Sequence, residues 1–229
     1  MEPVVAVVIP TWNEAEAIGS VIRELPRDLV RQVIVADSNS TDGTGDIARA
    51  AGATVIQAGR GYGRACAAGA AAADPTCEVL VFLDGDGADR GDLLARIAMP
   101  VIEGKRDLVL ASRTRGQRDP GAMNWHQVLA GQIFGLGIGA LYGQRYTDMC
   151  AFRALRRDTL VRLDMREMTY GWNIEMQMKA ARMRLRIEEV PMPYRCRIGG
   201  ESKVAGSLRG TLRAGTKIVS TFCRVAMAR

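Results

Sequence analysis

Two aspartates separated by one glycine form the most specific chemical signal in this chain. Asp84 and Asp86 follow the apolar run of residues 79–83 in the stretch Leu-Asp-Gly-Asp-Gly. Side chains two positions apart in extended backbone point to the same side, so both carboxylates can bind one hard cation such as Mg²⁺ or Mn²⁺. That cation could bridge the phosphates of a nucleotide diphosphate. An acidic turn is the alternative interpretation, because turns also favour Asp and Gly.

A second acidic position closes another apolar run. Asp37 follows residues 32–36, and a carboxylate at the end of a strand can accept hydrogen bonds from ribose hydroxyls or a base. The polar stretch 38–44 comes next and leads into a helix. For Asp42, within that stretch, we expect a role in the turn or the helix cap.

A basic, glycine-rich loop occupies residues 59–65. Gly61 and Gly63 would let the backbone approach a ligand, and Arg60 or Arg64 would supply positive charge. The loop is not the dinucleotide fingerprint, because a cysteine stands in place of the third glycine and the loop follows the third predicted strand instead of the first. A nicotinamide enzyme is therefore disfavoured.

The hydrophobic pattern predicts the framework that positions these residues. Short apolar runs alternate with helical stretches, as in a mostly parallel sheet flanked by helices. The predicted strands are residues 4–9, 32–36, 54–56, 79–83 and 108–111. The predicted helices are residues 14–25, 44–51, 63–73 and 173–183. Because polar residues gather just after the strand ends, we expect the site at the carboxyl edge of the sheet.

Length and composition indicate one α/β domain with an anionic partner. The 229 residues, 48% of them hydrophobic, fit a single domain better than two. The net charge of +6 favours an anionic partner, whereas the 5% aromatic content argues against a nucleic-acid surface. Five cysteines without zinc or redox spacing favour a reduced, cytoplasmic compartment. The only histidine, His126, has no obvious partner and is expected to be structural or superficial.

The order of the motifs resembles that of the family 2 glycosyltransferases. The shared segments are residues 10–14, 37, 40–44, 60–65, 84–86, 112–113, 148–153, 188–191 and 197–203. The last three resemble the branch of dolichyl-phosphate mannosyltransferase and its bacterial polyprenyl-phosphate relatives. The resemblance spans about residues 4–217 and implies a single GT-A-type, Rossmann-like domain. Within it we expect a nucleotide-sugar half at 1–115, an acceptor-side half at 116–205 and a basic amphipathic segment at 206–229.

The resemblance also implies roles for individual residues. The nucleotide is expected to contact Pro10, Trp12, Glu14 and Asp37. A divalent metal and the diphosphate would be held by Asp84 and Asp86. Candidates for binding the diphosphate or an acceptor phosphate are Arg113, Arg197 and Lys203. One departure concerns a third polar metal contact two residues after the motif, where this chain has Ala88, so we expect water there. The second is that many relatives carry membrane spans, which this sequence lacks.

The implied reaction is transfer of a hexose from a GDP- or UDP-sugar, usually with inversion, to a polyprenyl phosphate or another membrane-associated acceptor. A phosphate acceptor is already anionic, whereas a soluble hydroxyl acceptor would need a base. Glu175 is the candidate base, with a helix-start charge as the equal alternative. A non-catalytic nucleotide-sugar-binding module and a nucleotidyltransferase are further alternatives, and a homo-oligomer is left open.

Two stretches are compatible with contact with a membrane, and each also has another explanation. Residues 208–227 alternate apolar and basic positions, a pattern suited to an anionic membrane surface but also to an ordinary surface helix. Residues 125–142 are apolar and rich in glycine, and a buried helix is their commoner explanation. With no secretory signal visible, we expect peripheral contact at the inner face of the membrane.

Overall fold

The computed structural model describes residues 4–199 and 208–228. Within those residues, seven strands form one sheet in the order β3-β2-β1-β4-β6-β5-β7. The strands are β1 (Val5–Thr11), β2 (Val30–Asp37), β3 (Thr54–Gln57), β4 (Val79–Phe82), β5 (Leu108–Ser112), β6 (Arg153–Arg156) and β7 (Ile187–Pro191). β6 runs antiparallel to both neighbours, and the other pairs are parallel. The predicted α/β architecture is therefore confirmed.

Helices cover both faces of this sheet. They are α1 (Ile18–Glu24), α2 (Thr44–Ala50), α3 (Tyr62–Ala71), α4 (Ala95–Ile102), α5 (Trp125–Tyr142), α6 (Arg157–Leu163), α7 (Trp172–Arg182) and α8 (Leu208–Met227). In the described part of the chain, no helix is both long and apolar enough to span a membrane.

The first strand shows why the sheet is the centre of the core. Val5, Val7 and Ile9 join a hydrophobic cluster with α1 and α4, while Ala6 and Val8 join one with α3 and α7. All five side chains are fully buried. A strand that is buried on both faces has a continuous run of apolar residues, and this run predicted β1.

Three expectations about elements need correction. The helix expected over residues 14–25 begins only at Ile18; before it, the N–H groups of residues 13–15 donate to side chains of residues 40–44. The strands β6 and β7 were not predicted; β6 is four residues long and β7 is a half-buried edge strand. The buried helix expected over 125–142 is wrong, since Trp125 and Ile133 on α5 are 76% and 57% exposed.

Candidate functional site

The ends of β1 and β2 lie side by side and form one half of the candidate site. Thr11 pairs with Asp37 in the strand register, and Pro10 precedes it. Asp37 is buried; its carboxylate accepts hydrogen bonds from the Ser40 hydroxyl at 2.5 Å and from the Gln57 amide at 3.2 Å. These bonds fix the carboxylate at the carboxyl edge of the sheet, where the sequence predicted it.

The loop after β1 is fastened to the loop after β2. The Glu14 N–H donates to the Thr44 hydroxyl at 2.9 Å, and the Ala15 N–H donates to Asp42 at 3.0 Å. Asp42 also accepts from the Thr44 N–H at 3.0 Å, which is the turn role expected for it. The loop therefore presents Trp12 and Glu14 from a fixed backbone.

A cation and an aromatic ring stack at this end of the sheet. The guanidinium carbon of Arg60 lies 4.5 Å from the centroid of the Trp12 ring. Arg60 is exposed and Trp12 is half-buried, so the pair borders the solvent. Planar groups of this kind suit stacking against a nucleotide base.

The glycines of residues 59–65 have a packing role that the sequence did not predict. A Cβ atom at Gly61 would lie 2.5 Å from the Met168 carbonyl oxygen, and one at Gly63 would lie 2.3 Å from that of Glu167. The N–H groups of Gly63 and Arg64 donate to the carbonyls of residues 169 and 168. Gly61 and Gly63 therefore allow the backbone of residues 167–168 to approach closely, whereas the sequence suggested the close approach of a ligand.

Three carboxylates gather after β4, one more than the sequence predicted. Burial, and next the Asp86 carboxylate, raise the pKa of Asp84 to about 6. Burial, and next Asp84, raise the pKa of Asp89 to about 8. At the position where water was expected, the Ala88 N–H donates to Asp86 at 2.9 Å. Asp89 stood next to that position in the sequence, but its burial was not evident from residue type.

The segment before the undescribed residues 200–207 covers this acidic loop. Arg197 donates through Nη2 to Asp86 Oδ2 at 2.7 Å, and the Ile198 N–H donates to the Asp86 carbonyl at 3.0 Å. The second terminal nitrogen of Arg197, Nη1, is buried and has no hydrogen-bond partner among the described residues. An unsatisfied buried donor costs about 1–3 kcal/mol, so this group is prepared for an anion.

Arg113 lies beside the carboxylates with its charge already oriented. Its Nε and Nη2 bond to the buried Asp148 at 2.8 and 2.7 Å, and the guanidinium stacks 5.0 Å from the Tyr194 ring. Asp148 in turn lies next to Thr147, whose N–H donates to Glu189 at 2.9 Å. Residues 148–153 and 188–191 are among the motifs found in the sequence. In the structure Asp148 orients Arg113, and Glu189 binds the backbone at Thr147.

Glu175 does not fit the role of an acceptor base. It is fully buried, and its Oε2 accepts from the N–H groups of Arg166 and Glu167 at 3.0 and 2.7 Å. Its Oε1 lies 3.1 Å from Lys179 Nζ. A base must reach the acceptor hydroxyl, so these contacts favour the structural alternative. Lys203 lies outside the described residues.

The residues after β4 fit a divalent metal that shares its ligands with a substrate. The Asp86 carboxylate raises the pKa of its neighbour Asp84, and a cation held between the two would relieve this repulsion. No group of three or more His, Cys, Asp or Glu suited to a metal occurs within 4–199 and 208–228. Mg²⁺ and similar ions are commonly held by one or two carboxylates plus phosphate and water, so Asp84 and Asp86 are sufficient as the protein's share.

Comparison with known proteins places this geometry in context. Residues 6–163 match the model of Glycosyl transferase family 2. An uncharacterized glycosyltransferase of Mycobacterium tuberculosis is 33% identical over 214 residues, which is 92% of this chain and 94% of that protein. An undecaprenyl-phosphate mannosyltransferase of Micrococcus luteus is 34% identical over 90% of this chain and 89% of its own length. A dolichyl-phosphate hexose transferase of Haloferax volcanii is 35% identical over 87% and 86%.

Solved structures share the fold at lower identity. Glucosyl-3-phosphoglycerate synthase from Mycobacterium tuberculosis, in complex with phosphoglyceric acid, superposes with a TM-score of 0.78 at 22% identity, covering 99% of this chain and 81% of that one. The same enzyme in complex with Mn²⁺, UDP-glucose and glycerol 3-phosphate gives 0.76 at 21%, with the same coverage. The GT-A-type fold expected from the sequence is confirmed.

Proposed function

Because the chain belongs to glycosyl transferase family 2 and is a glycosyltransferase, we propose that it transfers a hexose from a GDP- or UDP-sugar to a polyprenyl phosphate or another membrane-associated acceptor, with inversion. The observation that carries this proposal is the Asp84–Asp86 pair, in which Asp86 binds the partly unsatisfied guanidinium of Arg197. Two relatives whose names state a lipid-phosphate acceptor support the choice of acceptor.

The nucleotide would lie on the surface formed by β1, β2 and the loop at residues 59–65. The Trp12–Arg60 stack would hold the base, with Pro10 at the end of β1 and Glu14 on the loop that follows it. Ser40 and Gln57 hold the carboxylate of Asp37 at the carboxyl edge of the sheet, where it would meet the ribose hydroxyls.

The diphosphate would lie against the acidic loop. A divalent metal, Mg²⁺ or Mn²⁺, held by Asp84 and Asp86 would neutralise charge on the departing diphosphate. Arg197 Nη1 would donate to a phosphate oxygen, and Arg113, oriented by Asp148, would add a second fixed positive charge. The resemblance assigns Lys203 to the same group of phosphate contacts.

The acceptor would need little help with proton transfer. A phosphate monoester is largely anionic at neutral pH, so positioning it in line with the anomeric carbon provides most of the acceleration. The burial of Glu175 agrees with a reaction that does not depend on a general base from α7.

A membrane-facing surface is proposed on α5 beside α8. The exposed apolar side chains of α5 are Trp125, Leu129, Ile133, Leu136 and Leu141. Residues 125–142 contain no Asp, Glu, Lys or Arg, while exposed basic residues of α8 include Arg213 and Lys217. A cavity of about 460 Å³ at the start of α5 is lined by Arg118, Met123, Trp125 and their neighbours. An apolar strip next to positive charge suits an anionic bilayer.

The experiment that tests this function is a transfer assay with radiolabelled GDP- and UDP-hexoses, Mn²⁺ and undecaprenyl phosphate in vesicles. We expect one donor to label the organic-solvent-extractable lipid, and Asp86→Asn to abolish the labelling. Label appearing only in a water-soluble product would replace the lipid acceptor with a hydroxyl acceptor. Failure of every donor to label any acceptor, or to release free sugar, would reject the proposed function.

A further inference from the structure

A buried glutamate outside the acidic loop connects α8 to the loop before α7. Glu167 is only 5% exposed. Its Oε1 accepts from the Thr169 N–H at 3.0 Å and from the Thr169 hydroxyl at 2.5 Å. Its Oε2 accepts from the hydroxyl of Thr221, a buried residue of α8, at 3.1 Å. One carboxylate therefore shapes a local turn and fastens it to a distant helix.

Basic residues of α8 complete this junction. Lys217 Nζ and Arg224 Nη2 lie 3.4 and 3.5 Å from Glu167 Oε2. Arg224 Nη1 also lies 3.6 Å from Glu175, the acid that binds the N–H of Glu167. A buried charge is costly unless it is paired and hydrogen-bonded, so both glutamates depend on these partners.

The same turn supports the start of α3. The carbonyl of Met168 accepts from the Arg64 N–H at 2.9 Å, and that of Thr169 accepts from the Gly63 N–H at 3.3 Å. The first N–H groups of a helix have no partner within the helix, and here backbone carbonyls satisfy two of them. Gly61 and Gly63 have no Cβ to keep the two segments apart.

The start of α3 carries side chains of the donor side. Arg60, just before the helix, stacks on Trp12. Tyr62, its first residue, is near enough to Asp84 for the two to interact electrostatically, although its buried hydroxyl has no hydrogen-bond partner among the described residues. Displacing the turn at residues 167–169 would therefore displace groups on both the base and the diphosphate sides.

We propose that Glu167 is a positioning residue for the donor side of the site: fastened to α8 through Thr221, Lys217 and Arg224, it clamps residues 167–169 against the start of α3. The inference rests on the proposed function for the identity of the donor, and it makes α8 a structural part of the donor site in addition to a membrane-facing helix.

Amide hydrogen exchange of the free protein tests the clamp without any ligand. In Glu167→Gln the neutral amide loses the attraction of Lys217 and Arg224, so we expect the amides of Gly63 and Arg64 to exchange at least about tenfold faster. Thr221→Val removes the α8 hydroxyl with little change of volume and should act in the same direction. Glu103→Gln, at an exposed ion pair with Lys105, and Thr216→Val, on the exposed face of α8, are the matched controls.

Donor affinity tests the consequence for function. We expect Glu167→Gln and Thr221→Val to raise the Kd of UDP or GDP with Mn²⁺, and the donor KM, about tenfold, while the acceptor KM stays as in the wild type. Thr221→Ser, which retains the hydroxyl, should restore both values.

The outcomes separate the two proposals. Unchanged exchange at Gly63 and Arg64 in folded Glu167→Gln, or wild-type donor affinity despite faster exchange, would overturn the positioning role and leave the transferase function standing. If Glu167→Gln does not fold, Thr221→Val decides by the same criteria. A wild-type protein that binds neither UDP nor GDP would instead refute the donor assignment.

Discussion

At the scale of single residues, the contacts of Arg197 explain how one side chain can bind Asp86 and also receive the phosphate of a donor. One terminal nitrogen pairs with Asp86, and the other is buried without a partner among the described residues. Pairing with Asp86 keeps the carboxylate neutralised before a cation arrives, and the free N–H groups favour an incoming phosphate.

Arg197→Ala should therefore impair turnover more than folding. We expect kcat/KM to fall by about 100-fold, the range seen when a donor to developing charge is removed. The change in thermal stability should be small, because the side chain is partly exposed and its loss relieves an unsatisfied donor. Steady-state kinetics and thermal unfolding of the same preparation check this, with Arg90→Ala as the control, since Arg90 pairs with Asp92 outside the site. Wild-type kcat/KM in a folded Arg197→Ala protein would remove Arg197 from the mechanism.

Residue type predicted some members of the site and not others. Asp84, Asp86 and Asp37 stood at strand ends, where position alone indicates function. Asp89, Tyr62 and Glu167 did not, because their importance comes from burial and from partners distant in sequence. Glu175 had a suitable residue type and position, yet it is buried on α7 beside Arg224 of α8, which gives it another role.

At the scale of elements, the continuous apolar strands were predictable and the remaining sheet was not. β1, β2 and β4 are buried on both faces, so their sequences are unambiguous. β6 enters between β4 and β5 as four residues that begin and end with arginine, and its pairing is set by the tertiary fold. The helix α5 was misjudged because an apolar helix with an exposed face has the same composition as a buried one.

The contact between residues 167–169 and α3 predicts that one added methyl group at Gly63 lowers the stability of the protein. Gly63→Ala would place Cβ 2.3 Å from the Glu167 carbonyl oxygen, a backbone atom that cannot move freely. We expect a loss of about 1–3 kcal/mol in the free energy of unfolding, measured by urea denaturation. Gly45→Ala in α2 is the control: its Cβ would meet only side chains at 3.5 Å or more, so it should be neutral or stabilising by up to about 1 kcal/mol. Equal stability of the two variants would contradict the close packing described at α3.

The exposed face of α5 gives a prediction for membrane binding. Ile133→Asp puts a charge in the middle of the apolar strip, and we expect vesicle affinity to drop at least about tenfold while soluble donor binding is retained. Co-sedimentation with vesicles containing anionic lipid measures this. Val161→Asp, at a similarly exposed apolar residue on α6, is the control and should bind vesicles as the wild type does. Identical binding by both variants would exclude α5 from the membrane surface.

At the scale of the whole molecule, the net charge of +6 should make membrane association depend on salt and lipid charge. A basic residue near an anionic surface contributes roughly 1 kcal/mol, and the Debye length falls from about 10 Å at 0.1 M salt to about 3 Å at 1 M. We expect binding to anionic vesicles to weaken steeply across this range, and neutral vesicles to bind weakly throughout. Vesicle binding that changes with neither salt concentration nor lipid charge would show that electrostatic attraction does not drive the association.

The function proposed for the whole molecule depends on one claim, that Asp84 and Asp86 hold a metal that contacts the diphosphate of a sugar donor. The most direct measurement is a crystal structure with Mn²⁺ and a bound GDP- or UDP-sugar, using anomalous scattering to locate the metal. We expect an Mn²⁺ peak at the two carboxylates, the diphosphate between the metal and Arg197, and the base beside Trp12 and Asp37. A metal and diphosphate bound elsewhere in the molecule would contradict this claim.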